Sequence, residues 1–352
     1  MAGGVGSRFW PISKEGHPKQ FLQFVSGKSF LRMAYERFLG LIPPENIIVV
    51  SLVKYKDLVM KDIPELSEEN LLLEPYGRNT AACIAFATYT LLKRDPDAVM
   101  AVTPADHLIT NEDLYRDTLR SALEYASQNR ALITLGIVPD RPDTNFGYIQ
   151  AAGGKDAYRQ NRPVKVKTFT EKPSKELAEV FIHSGEFLWN SGLFIWRADT
   201  IRDEMEKYVP EITRQFDGWE SSLGTPAELE FLTKAYAYID RISIDYAIME
   251  KTDIAWLYPA EFGWADIGNW ESLYDYLAAK DENGNTVRSR GQILRDSRNN
   301  IIYSENKLVA VSGLENHIVV DTKNVLMIAP RDDAKIKEIT SNIALSEFEE
   351  YR

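Results

Sequence analysis

The feature that most constrains this chain is a rhythm: short runs of β-branched and apolar residues alternate with stretches of helical period. Residues 47–50, 71–73, 99–103 and 132–135 read as buried strands. Between them, 29–39 carries Phe30, Met33, Ala34 and Phe38 along one stripe, 80–93 is rich in alanine and leucine, and 114–126 repeats the spacing. Strand, helix, strand in this order implies an α/β fold, a Rossmann-like mixed and mostly parallel sheet with helices on both faces.

Beyond Asn145 the pattern becomes more mixed, with strands at 148–151, 164–169 and 192–196 and a helix capped by Ser174. After Lys280 the run Asp281-Glu282-Asn283-Gly284-Asn285 is turn-rich, and short strands follow, separated by Asn299-Asn300, Ser304, Gly313 and Asn316. The expected organisation is a catalytic domain over 1–280 and a small β-rich domain over 286–352, built like a coil or two of a left-handed β-helix.

A formal charge of -11 argues against a nucleic-acid partner, which would require a net positive face. An anionic substrate must then meet a local basic site, and Arg8, Lys14, Lys19 and Arg32 form such an island near the start. The lone Cys83 leaves no intramolecular disulfide, and neither a leader-like segment nor an apolar run of membrane-spanning length is visible. A cytoplasmic protein without membrane contact is expected.

Gly3-Gly4-Val5-Gly6-Ser7-Arg8 lets backbone amides approach phosphate oxygens, with an arginine able to bind them bidentately. The dinucleotide fingerprint fails because Phe9 stands where its third glycine belongs, and the Walker loop fails for want of a Lys-Ser/Thr pair. In Pro18-Lys19-Gln20, Lys19 is close enough in sequence to fold over the same phosphates, a solvated lysine being the competing reading. Asp106 follows a buried strand, where open α/β sheets bind ligands, and suits magnesium, a cap of the next segment being the competing reading. Asp266, within Trp264-Ala265-Asp266-Ile267-Gly268, is either a second metal ligand or the cap of a helix starting at Trp270. Glu171, Lys172, Asn190 and Asp245 offer groups suited to sugar hydroxyls and a sugar phosphate, the alternative for each being a solvated side chain with no ligand. His17, His107, His183 and His317 lack metal-ligand spacing.

At these residues the sequence resembles the mannose-1-phosphate guanylyltransferases. The likeness runs through Gly3 to Pro11, Pro18-Lys19-Gln20-Phe21-Leu22, Glu74-Pro75 with Arg78-Asn79-Thr80-Ala81, and Pro104-Ala105-Asp106-His107. It continues in Phe146-Gly147-Tyr148-Ile149, Glu171-Lys172-Pro173, Phe187 to Gly192, Ile244-Asp245-Tyr246-Ala247 and Asp266 to Trp270. The resemblance implies GTP and mannose 1-phosphate as substrates. It places Gly3, Gly4, Gly6, Ser7, Arg8 and Lys19 on the triphosphate, and Asp106 and Asp266 on Mg2+. It puts Glu74, Asn79 and Thr80 near guanine and ribose, and Gly147, Glu171, Lys172, Asn190 and Asp245 on the sugar phosphate. A homodimer is implied in the same way. The alternatives are a pyrophosphorylase for a heptose or glucose phosphate, or a non-catalytic regulatory homologue that binds a nucleotide sugar.

Relatives that carry a fused isomerase domain have clustered histidines, which these residues lack, so a single activity is expected. Relatives also carry an apolar strand before Ala-Gly-Gly, where this sequence has only Met1. A missing first strand, with unpaired neighbours in the sheet, is the corresponding expectation.

Overall fold

The computed structural model describes residues 1–4, 6–24, 27–158, 162–276 and 279–351. Val5 of the glycine-rich loop lies outside them. The chain forms two compact units: Met1–Gly3, Ala34–Ala105 and Ile109–Trp264 make the first, while Gly4–Met33, Asp106–Leu108 and Ala265–Arg352 make the second. These units do not follow the linear division expected near residue 280. The reason lies in the packing of the second unit, where Phe9, Trp10, Leu22 and Phe30 share one apolar core with Ile267, Trp270, Ile301, Ile318 and Ile336.

In the first unit, the expected helices form at Asn79–Arg94, Glu112–Gln128 and Lys175–Ser184. Their stripes explain them: Tyr115, Leu119, Ala122 and Ala126 recur at helical spacing and are fully buried. Ser174 caps its helix by accepting the Leu177 N–H, and Gly185 ends it in the left-handed conformation. Val49–Leu52 pairs in parallel with Leu71–Glu74. A six-stranded sheet contains Val99–Val102, Leu132–Ile137, Tyr148–Ala151, Val164–Thr170, Phe187–Arg197 and Ala255–Ala260.

The sheet is mixed, as expected, but its described pairings weigh toward antiparallel. Phe187–Arg197 runs against three neighbours, and only Leu132–Ile137 with Ala255–Ala260 is parallel. Phe194, Trp196, Leu132 and Ala255 are buried in a large core with Ile84, Phe86 and Met205.

Met1 and Ala2 partly answer the expectation of a missing strand. Met1 N donates to Thr103 O at 2.8 Å and Ala105 N to Met1 O at 3.0 Å, while Ala2 N donates to Val50 O at 2.8 Å. Ser51 Oγ donates to Ala2 O at 2.9 Å. Backbone groups at Val50, Thr103 and Ala105 are therefore partnered rather than left open.

In the second unit, Asp281 closes the turn-rich segment by accepting from the Asn283 and Asn285 amides. The strands that follow stack in parallel: Thr286–Arg288 on Ile301–Ser304 on His317–Asp321, and Gly291–Arg295 on Leu308–Ser312. Buried asparagines tie the coils, Asn300 Nδ2 donating to Asn285 Oδ1 at 2.9 Å and His317 N to Asn300 Oδ1 at 2.9 Å. This is a solenoid rather than a sandwich, since these strands pair in parallel with their equivalents one coil on, and Leu326–Pro330 ends the stack antiparallel to His317–Asp321. The helix Asp333–Ala344 follows, with Ile336 fully buried. No helix among the described residues is long and apolar enough to cross a membrane.

Candidate functional site

The predicted site residues fall into three groups, one in the second unit and two in the first. In the second unit, Lys19 sits in the turn Lys19–Phe21 and is only 4% exposed. Its ammonium lies 2.7 Å from Asp106 Oδ2 and 3.5 Å from Asp266 Oδ1. The rings of Phe9 and Phe30 lie 5.9 and 5.8 Å from it. A buried cation needs such partners, and two carboxylates with two aromatic faces supply them.

Asp106 shows which influence wins. Burial raises its pKa, but the Lys19 charge, the nearby His107 and the Lys19 hydrogen bond outweigh that and hold the carboxyl at about 2. Neither aspartate serves as a helix cap. Asn111 caps Glu112–Gln128 by accepting the Leu114 N–H, and Asn269 caps Trp270–Tyr276 by accepting the Ser272 N–H. The capping alternative for Asp266 is thereby removed, leaving both carboxylates available for a cation.

The glycine loop meets this cluster at Gly6, whose φ of 71° favours glycine. A Cβ there would stand 2.3 Å from Lys19 Cβ, so the lysine can pass only because residue 6 has no side chain. Gly4 is exposed, and among the described residues nothing lies within 4 Å of such a Cβ. Ser7 and Arg8 lie in the single turn Ser7–Phe9. A Cβ at Gly268 would lie 3.5 Å from Arg8 Nη1 and 3.7 Å from Asp266 Oδ2, so the guanidinium and carboxylate border the same small space. Among the described residues no group of three or more His, Cys, Asp or Glu is arranged to hold a metal. Asp106 and Asp266 offer a two-carboxylate, oxygen-only donor set. That set fits a hard cation which takes its remaining ligands from water and phosphate.

In the first unit, Gly147, Glu171, Lys172, Asn190 and Asp245 come together. Asn190 Nδ2 donates to Asp245 Oδ1 at 2.8 Å, and Asn190 N donates to Gly147 O at 2.8 Å. A Cβ on Gly147 would lie 2.3 Å from Glu171 Oε2. Lys172 Nζ donates to Glu171 Oε1 at 2.7 Å. Burial raises the Glu171 and Asp245 carboxyls above their ordinary values despite their hydrogen bonds. For Lys172, burial works against the ammonium, but the bond and charge of Glu171 prevail and raise it. Close carboxylates, an amide and an ammonium make a polar surface suited to hydroxyls and a phosphate.

Glu74, Asn79 and Thr80 lie at and before the start of Asn79–Arg94. Asn79 has a φ of 69° and its Oδ1 accepts the Thr80 N–H, while Thr80 Oγ1 accepts the Ile244 N–H at 2.8 Å. Thr80 thus anchors the segment carrying Asp245. Glu74 is 4% exposed, and burial pushes its carboxyl up to about 7 although Tyr236 donates a hydrogen bond at 3.1 Å. Gly3 approaches it, a Cβ there being 3.4 Å from Glu74 Oε2.

Several supporting residues have no signal in the sequence. Tyr236 reaches Glu74 across 162 positions, and Thr134 Oγ1 donates to Asn190 Oδ1 at 2.9 Å. Glu250 Oε1 accepts the Glu171 N–H at 3.0 Å. Only Glu250 has a local clue: it follows Asp245 by five residues, and its N–H donates to Asp245 O in a π-helical turn.

Residues 1–283 match the family model described as Nucleotidyl transferase, and residues 291–342 match one described as MannoseP isomerase/GMP-like beta-helix domain. The mannose-1-phosphate guanylyltransferase of Klebsiella pneumoniae is 35% identical over 356 residues, spanning 100% of this chain and 74% of its own length. That of Escherichia coli strain K12 is 35% identical over 362 residues, with the same shares. A crystal structure from Thermus thermophilus, described as a mannose-1-phosphate geranyltransferase, matches with a TM-score of 0.85 and 29% identity over 97% of each chain.

Proposed function

The chain belongs to the nucleotidyl transferase family, among the mannose-1-phosphate guanylyltransferases, and from that premise we propose that it makes GDP-mannose and pyrophosphate from GTP and mannose 1-phosphate. The observation that carries this reading is the buried Lys19 held between Asp106 and Asp266, with its side chain passing close over Gly6.

An oxygen of the sugar phosphate forms the new bond to the α-phosphorus as the bond to the β-phosphate bridging oxygen breaks. The attacking oxygen of the sugar phosphate is already ionised at neutral pH, so no general base is required. The work left to the protein is positioning and charge stabilisation. Arg8 and Lys19 would neutralise phosphate oxygens, while backbone amides at Gly4 and Gly6 would donate hydrogen bonds to them. Asp106 and Asp266 would hold Mg2+, which when bound supplies further neutralisation of phosphate charge. Glu74, Asn79 and Thr80 would face the nucleoside. Glu171, Asn190 and Asp245 would bind sugar hydroxyls, and Lys172 would neutralise the sugar phosphate.

The test is pyrophosphate release from GTP with mannose, glucose and heptose 1-phosphates in parallel, with and without Mg2+. Mannose 1-phosphate should give the highest kcat/KM, and Asp106→Ala should lower it by at least about a hundredfold. Metal-independent turnover, or near-normal release by Asp106→Ala, would defeat the assignment of Asp106.

A further inference from the structure

Asn269 stands three residues beyond Asp266, and its side chain is engaged at both ends. Its Oδ1 accepts the Ser272 N–H at 2.8 Å while Ser272 Oγ accepts the Asn269 N–H at 3.1 Å, a reciprocal cap on Trp270–Tyr276. The amide nitrogen remains, and it donates to Asp333 Oδ2. Between these points Gly268 N donates to Asp266 O at 2.9 Å, closing a tight turn. Asp333 therefore grips the far end of the turn that begins with a candidate metal ligand.

Asp333 is not needed to cap its own helix. That role belongs to Asp332, whose Oδ1 accepts the Ala334 N–H at 2.8 Å. The same C-terminal segment reaches the opening loop as well. Trp10 Nε1 donates to Tyr351 O at 2.8 Å, and Trp270 Nε1 donates to Trp10 O at 3.4 Å. Trp10 is two residues beyond Arg8, and Ile336 shares its apolar core.

We propose that Asp333 is a positioning residue for guanylyl transfer: through Asn269 it fixes the Asp266–Asn269 turn, and so makes the C-terminal helix part of the phosphate-handling machinery. The proposal rests on the role given to Asp266 above. A carboxylate misplaced by a fraction of an ångström loses transition-state stabilisation more readily than it loses ground-state binding, so the expected signature is in kcat.

The experiment compares Asp333→Ala, Asp333→Asn, Asn269→Ser and the double variant D333A/N269S in the full chain. Asp333→Ala should lower kcat about tenfold to a hundredfold with little change in KM for mannose 1-phosphate, and should speed amide exchange at Gly268 to Leu273. Asp333→Asn keeps an acceptor oxygen and should restore both. Asn269→Ser keeps the cap with a side chain too short for Asp333, so it should match Asp333→Ala, and the double variant should be no worse than either single one. Unaltered kcat and exchange in Asp333→Ala, equal losses in the Asn and Ala variants, or additive losses in the double variant would overturn the proposal. Failure of the unmodified chain to form GDP-mannose would instead defeat the functional reading. Exchange at Gly268 to Leu273 would still decide whether Asp333 holds the turn.

Discussion

Lys19 and Asp106 form an ion pair of 2.7 Å in which the lysine side chain is 5% exposed and the aspartate 34%. The asymmetry matters: the cation has lost its water, whereas the carboxylate still faces solvent. Removing Asp106 would leave the buried ammonium only the more distant Asp266, at 3.5 Å, as a carboxylate partner, while removing Lys19 would free a carboxylate to titrate.

Replacement of Lys19 by Met keeps the bulk of the side chain between Phe9 and Phe30 and deletes the charge. Asp106 has a folded pKa of about 2 against an ordinary 3.8, so its contribution to stability is present above pH 4 and is lost as pH falls through about 2. Lys19→Met should abolish that acid-side decline and lower kcat/KM for GDP-mannose formation by at least about a hundredfold. Urea denaturation between pH 5 and pH 2 reads the first effect. An unchanged acid limb would contradict the pairing.

Gly147→Ala tests the cluster proposed to bind the sugar phosphate. Its Cβ would lie 2.3 Å from Glu171 Oε2 and 3.3 Å from Asn190 Cβ, so the Glu171 carboxylate must swing away. KM for mannose 1-phosphate should rise on the order of tenfold or more, while KM for GTP changes little. Steady-state kinetics with each substrate varied in turn would show it, and equal effects on both would argue for a general disturbance of the fold.

Glu74 predicts an opposite pH dependence. Its carboxyl is raised from 4.5 to about 7 by burial, so the folded chain keeps a proton that the unfolded chain has released. Stability from this group is full below about pH 4.5 and falls as pH rises through about 7. At about 1.4 kcal/mol per pH unit, the fall amounts to roughly 3 kcal/mol. Glu74→Gln still accepts from Tyr236 and should remove the decline, leaving the variant more stable than the parent at pH 8. Denaturation curves at pH 5 and pH 8 for both chains check it, and parallel declines would refute the assignment.

Much of the architecture was legible because it is encoded over short spans. The stripe of Tyr115, Leu119, Ala122 and Ala126, the cap at Ser174 and the turn at Asp281 each depend on residues a few positions apart. The candidate site residues were legible by their motifs, but their partners were not. Thr134 beside Asn190 and Tyr236 beside Glu74 are ordinary residues of a strand and a helix, and nothing nearby in sequence marks them.

Periodicity and side-chain type are local properties, so the α/β rhythm, the coiled strands after residue 285 and the residues with chemistry to offer could be read from the amino-acid order. Tertiary structure alone decided that Lys19 lies between carboxylates from distant segments and that Gly6 must be bare to admit it. It also decided that Asp333 holds Asn269 across 64 positions and that Phe9, Trp10, Leu22 and Phe30 share an apolar core with residues of the C-terminal coils. Such contacts depend on which apolar faces bury one another, and that is a property of the whole packed chain.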